Sequence, residues 1–131
     1  MKLNPRELEV LKILHESSKA LTSTEIVNSG EELTQSTVQA VLRKLLATEL
    51  VEVQGVTHSG NVLSRTFGAT KKSKEVLSQK FLDDLRNFHT IIDKKTILNG
   101  LLEMEKDNPR LDKEVDDLIK FLNNFKAKHS K

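Results

Sequence analysis

A mainly α fold carrying one small β-hairpin is what this sequence predicts, and three observations predict it. Apolar residues recur at helical spacing up to residue 50. A β-branched, alternating stretch follows at once. The rest of the chain then returns to helical spacing. Two helices, a turn, a third helix with a polar face and a hairpin give the order of a winged helix-turn-helix. The expectation is an α+β winged helix-turn-helix domain over residues 1–70 and a helical dimerisation region over residues 71–131.

The first helix opens at Asn4-Pro5. Asn is a good N-cap, Pro suits the first helical position, and Glu7 stands at the third. Leu8, Leu11 and Leu14, with Val10, make its apolar stripe, and His15-Glu16-Ser17-Ser18 ends it. Ala20-Leu21-Thr22 reads as a short strand. Thr22-Ser23-Thr24-Glu25 is a capping box for a second, short helix through Ile26 and Val27. Asn28-Ser29-Gly30 stops it, with a left-handed exit expected at Gly30.

After the turn Glu31-Glu32-Leu33, Thr34 caps the third helix. Val38, Val41, Leu42, Leu45 and Leu46 lie on its apolar face. Setting that face inward turns Gln35, Ser36, Gln39, Ala40 and Arg43 outward at about 100° per residue. Lys44 is grouped with them, and Thr37 is assigned to phosphate or to the cap. No Asp or Glu occurs from Leu33 to Thr48. Hydroxyls, amides and cations recognise phosphates and base edges, so this face suits a DNA major groove. Gln39 is the best placed to read a base, because its amide can pair twice with an adenine edge. Arg43 serves guanine or phosphate equally well.

The hairpin is expected from Leu50-Val51-Glu52-Val53 and Val62 to Phe67, with His58-Ser59-Gly60-Asn61 as its loop. Beyond it, helices are expected from Lys71 to about Phe88, from Ile91 to Glu105, and from Leu111 to Lys128 after the break at Asn108-Pro109. Leu111, Val115, Leu118, Leu122 and Phe125 are spaced as a heptad seam. With Phe81, Leu85 and Leu101 they form stripes that a second copy of the chain would cover, so a homodimer is expected.

Charge and composition narrow the function. The formal net charge is +2, with 7 Lys/Arg against 8 Asp/Glu in residues 1–70 and 14 against 11 beyond. Phosphate binding therefore depends on local distribution. From Val53 to Lys74 there is no acid, while His58, Arg65, Lys71, Lys72 and Lys74 are all present. The predicted DNA contacts are thus Gln35, Ser36, Thr37, Gln39, Arg43, Lys44, His58, Arg65, Lys71 and Lys72, on a double-stranded operator.

Cysteine is absent, which excludes disulfides and thiolate chemistry. His15, His58, His89 and His129 have no partner at ligand spacing, so neither a metal nor another cofactor is expected. Asp83-Asp84 and Asp116-Asp117 are neighbours along helices, point apart, and read as solvated. No phosphate loop or nucleophile elbow occurs, which argues against an enzyme. There is no apolar run of spanning length and no signal-peptide core, so a cytoplasmic protein without a membrane is expected. One rival comes from a different class, a winged-helix protein-interaction module; a second is a winged-helix regulator responding to a small molecule.

Glu7-Leu8-Glu9-Val10-Leu11-Lys12-Ile13-Leu14, then Thr37-Val38, Leu42, Lys44-Leu45 and Leu50-Val51, resemble the motifs of the penicillinase and methicillin-resistance repressors, with the copper-responsive repressors (the BlaI/MecI/CopY family). The resemblance covers most of the chain. It implies a DNA-binding repressor with helical dimerisation after the wing. The chain departs from the family at His15, where Trp is usual, at Glu49, where Gly is usual, and in a second wing strand without tyrosines. The copper branch's cysteine site is missing altogether. Ile97-Leu98-Asn99-Gly100 matches the position of the penicillinase branch's Asn–Phe cleavage site, with Gly100 in place of the Phe.

Overall fold

A computed structural model describes residues 2–130. Among them are six helices and one two-stranded antiparallel sheet. The chain divides into two compact units, one up to Asp84 and one from Leu85 onward.

In the first unit α1 (Pro5–Glu16) has the expected capping box. The Asn4 side chain accepts from the Glu7 N–H at 2.9 Å, and the Glu7 carboxylate accepts from the Asn4 N–H at 2.9 Å. Val10, Leu11 and Leu14 are buried, with Leu8 at the edge of the core. The Thr22–Glu25 box starts α2 (Ser23–Ser29) in the same way. The expected strand at Ala20–Thr22 reduces to one bridge, in which Leu21 pairs with Phe67.

The expected left-handed exit at Gly30 does not occur. Gly30 is extended, at φ −97° and ψ 173°. Glycine is required there for space, since a Cβ would run into the Leu33 side chain. The positive φ of this turn belongs to Glu32 (57°) instead.

Thr34 caps α3 (Gln35–Ala47), whose Val38, Val41, Leu42 and Leu45 enter the core. Glu49 leaves α3 at φ 63°, in the left-handed region that favours glycine. The hairpin of β1 (Val51–Ser59) and β2 (Val62–Ala69) runs further than expected. His58 and Ser59 are strand rather than loop, and the turn is only Gly60-Asn61. Gly60 at φ 65° fits the first central position of a II′ turn. A bulge between Val53 and Gly55 shifts the register by one residue.

α4 (Lys71–Arg86) begins in this unit, where Ser73 is buried and Val76 and Leu77 pack on the core. The unit thus extends past the boundary at residue 70 drawn from sequence.

The second unit holds α5 (Lys94–Glu103) and α6 (Leu111–His129). α5 is shorter than the expected 91–105, because Ile91 and Ile92 lie in a turn after α4 and Asp93 caps at Lys95 N–H. α4 itself ends at Arg86 rather than Phe88. No residue of α5 or α6 is buried.

Candidate nucleic-acid interface

The outward face of α3 is as its periodicity predicts: Gln35, Ser36, Gln39, Ala40 and Arg43 are all exposed. Its first turn is held by Thr34, whose hydroxyl accepts from the Thr37 N–H at 3.2 Å and donates to the Thr37 hydroxyl at 2.9 Å. Thr37 therefore takes part in the cap through its N–H and as an acceptor. The two glutamines reach across to α2, where the Gln35 amide donates to Thr24 Oγ1 at 3.1 Å and the Gln39 amide to Ser23 Oγ at 3.4 Å. These exposed bonds hold both amides at the outward face of α3 without burying them.

Lys44 stands apart from the other candidates. Its ammonium lies 2.7 Å from Glu7 Oε2 of α1, while the Glu7 side chain is only 2% exposed. Burial pushes the Glu7 carboxyl up. The Lys44 ammonium and the Asn4 N–H outweigh that and hold it below its ordinary value of 4.5. One carboxylate thus closes the first helix cap and ties α3 to α1.

The hairpin lies beside this face. Thr57, His58 and Thr66 line a cleft of about 400 Å³ together with Lys19, Ala20, Thr22, Thr24 and Glu25. The start of α2 therefore touches α3 on one side and faces the hairpin on the other. Ser23, Thr24, Thr57 and Thr66 were not singled out from sequence. Only the fold brings these small hydroxyl side chains to the same surface.

Arg65 is exposed, and its guanidinium sits 5.3 Å from the centre of the Phe67 ring. Lys72 donates to the Thr48 carbonyl at 3.1 Å and lies 3.9 Å from Glu49. Arg43, His58, Lys71 and Lys74 are exposed, with no side-chain ion pair or hydrogen bond among the described residues.

Behind the interface, His15 meets the buried Ser73. Ser73 Oγ donates to the Thr70 carbonyl at 2.6 Å, so His15 Nε2–H donates to Ser73 Oγ at 2.8 Å. Thr70 Oγ1 in turn donates to the Glu49 carbonyl at 2.7 Å. The end of α1, the start of α4 and the exit of α3 are joined by this chain of bonds. No spacing in the sequence signals it, because His15 and Ser73 are 58 residues apart.

The dimerisation candidates fall into two groups. Phe81, Leu101, Leu118, Leu122 and Phe125 are exposed, while Leu85, Leu111 and Val115 are half-buried. No group of His, Asp and Glu among the described residues is arranged to hold a metal ion. No described helix is long and apolar enough to cross a membrane.

The family described as Penicillinase repressor matches residues 3–123. Among solved structures, the chain is similar to a MepR variant from a multidrug-resistant S. aureus clinical isolate. The identity is 20%, with 88% of this chain and 79% of that one covered, at a TM-score of 0.53. A second S. aureus MepR variant, bound to an oligodeoxyribonucleotide, aligns at 18% identity over 88% of this chain and 80% of that one, TM-score 0.51. The adhesin competence repressor AdcR of Streptococcus pyogenes aligns at 19% identity over 97% and 80%, TM-score 0.50. At these identities the likeness shows the fold. No match is found among curated proteins.

Proposed function

The chain belongs to the penicillinase repressor family, whose members are winged-helix DNA-binding transcription regulators, and from that premise we propose that it acts as a homodimeric repressor. Each copy presents α3 to one half of a palindromic double-stranded operator. The observation that carries this reading is the outward face of α3, exposed, free of acids and bearing two amides held by Ser23 and Thr24. Gln39 reads a base edge, with Gln35 and Ser36 beside it. Arg43, Arg65, Lys71 and Lys72 meet phosphates, which fix the register without selecting sequence. The exposed apolar residues of α5 and α6 support pairing of two copies through the C-terminal unit.

Selection from random duplex DNA tests this directly. A two-fold symmetric consensus is expected. On that consensus Gln39→Ala should cost roughly 1–3 kcal/mol and far less on random DNA. Equal losses on both, with helix content and self-association unchanged, would take Gln39 out of the base-reading set.

A further inference from the structure

α1 and the start of α4 flank an open groove of about 540 Å³. Leu8, Lys12, His15 and Glu16 reach it from successive turns of one α1 face, and Lys74 and Leu77 from one face of α4. Leu8 and Leu77 supply its apolar floor, being half-buried and packed on the core. Lys12, His15, Glu16 and Lys74 are exposed around them. The 2.8 Å bond from His15 to the buried Ser73 pins the two walls together. Lys12 already faces Glu16, at 3.9 Å. The Lys74 ammonium has no ion pair or hydrogen bond among the described residues. One cation therefore stands uncompensated beside an aliphatic floor.

We propose that this groove binds a small alkyl carboxylate, with the chain on Leu8 and Leu77 and the head at Lys74. Charge selects the head. An ammonium only donates, a carboxylate only accepts, and the bond between them is charge-assisted. The floor selects the body, because covering two leucine side chains removes apolar surface from water. No Phe lines the groove, and the one ring there, His15, is tethered to Ser73, so a flexible chain suits it better than an aryl group. The volume falls in the range of about 300–1,000 Å³ usual for small-molecule sites.

A second copy of the chain fits less well. Interface cores are depleted of charge, whereas lysines and a glutamate ring this floor. A bound carboxylate would hold the start of α4 against α1. The bonds of that joint run on from His15 through Ser73 and Thr70 to the Glu49 carbonyl at the exit of α3.

Amide shifts of the full chain, followed during titration with octanoate, octylammonium or acetate, test the site. Octanoate should saturate a single site, with the largest shifts at residues 8–16 and 74–77. Octylammonium has the same chain and the opposite charge, and should bind about tenfold more weakly. Acetate, without the chain, should not saturate. Lys74→Glu should weaken octanoate about tenfold and strengthen octylammonium, a reversal that a folding defect does not produce. Leu77→Ser should weaken both alkyl ligands together. Equal binding of octanoate and octylammonium would overturn the proposal, leaving an apolar surface without a head-group site. Octanoate shifts confined to α5 and α6, or octanoate binding unchanged in Lys74→Glu, would overturn it too. So would an absence of octanoate binding with self-association lost in Lys74→Glu, which would give the groove to a second copy. No DNA enters the titration, so its outcome is separate from that of Gln39→Ala on the operator.

Discussion

The two units of this chain treat their apolar residues in opposite ways. Up to Asp84, leucines and valines from three helices and the hairpin close on one another, and Val10, Leu11, Ile26, Val38, Leu45 and Leu50 are fully buried. From Leu85 on, α5 and α6 bury nothing, and Leu101, Leu118, Phe121, Leu122 and Phe125 stand exposed. The amphipathic signal is equally clear in both parts of the sequence. The first unit closes its apolar residues on one another, while the second leaves much of its apolar stripe exposed. If the proposed dimer holds, the first should be stable alone and the second should depend on concentration.

The largest expected effect breaks that difference from the C-terminal side. Leu118→Glu with Leu122→Glu places two carboxylates on the exposed stripe of α6. Sedimentation should show a monomer. Operator affinity should fall on the order of 10²–10⁴-fold as two linked half-site contacts become one. The first unit should remain folded. A wild-type chain that sediments as a stable monomer at micromolar concentration would remove the dimer from the mechanism.

Leu45→Ala strikes the other unit. Leu45 is fully buried on the inner face of α3, and its truncation should cost about 2–5 kcal/mol. Chemical denaturation should show that loss to be independent of protein concentration. Unfolding of the C-terminal helices should instead shift with concentration by mass action.

Much of this contrast was legible in the sequence, for physical reasons. Helix caps are local, so Asn4–Glu7 and Thr22–Glu25 could be read off four-residue windows and are present as capping boxes. The inner and outer faces of α3 follow from periodicity alone. What escaped was long-range or set by space. The Lys44–Glu7 ion pair joins two helices, and the His15–Ser73 bond joins residues with no shared pattern. At Gly30 a left-handed exit was the local expectation, yet the constraint is the nearby Leu33 side chain. The strands also outran their signal, because antiparallel pairing carries His58 and Ser59 past the point where polar residues suggested a loop.

A smaller effect concerns the acid limb of the first unit. Glu7 has its carboxyl held below the ordinary 4.5 in the folded chain. Its contribution is therefore fully present above that ordinary value and is lost as pH falls through the lower, folded one. Glu25, also lowered, by the Thr22 N–H and then Lys19, acts in the same direction, but it is more exposed and its effect is screened. Thermal unfolding followed from pH 7 to pH 3 should lose stability most steeply below pH 4.5, and Glu7→Gln should flatten that fall. An unchanged acid limb in Glu7→Gln would assign the loss to other carboxylates.

The smallest effect sits at the exit of α3. Glu49 holds φ 63°, a conformation that crowds any Cβ and that glycine adopts freely. Its carboxylate gives little in return, being 81% exposed and 3.9 Å from Lys72. Its backbone does more: the carbonyl accepts from Thr70, and the N–H donates to Leu46 at 3.1 Å. Glycine keeps both backbone bonds and relieves the crowding, though it adds freedom to the unfolded chain. Glu49→Gly should therefore stabilise the first unit by roughly 0.5–1 kcal/mol. Glu49→Ala, which retains the Cβ, should change it little. Denaturant midpoints for the two variants give the comparison: a gain in glycine alone identifies backbone crowding as the cause, whereas equal gains in both would point to the removed carboxylate.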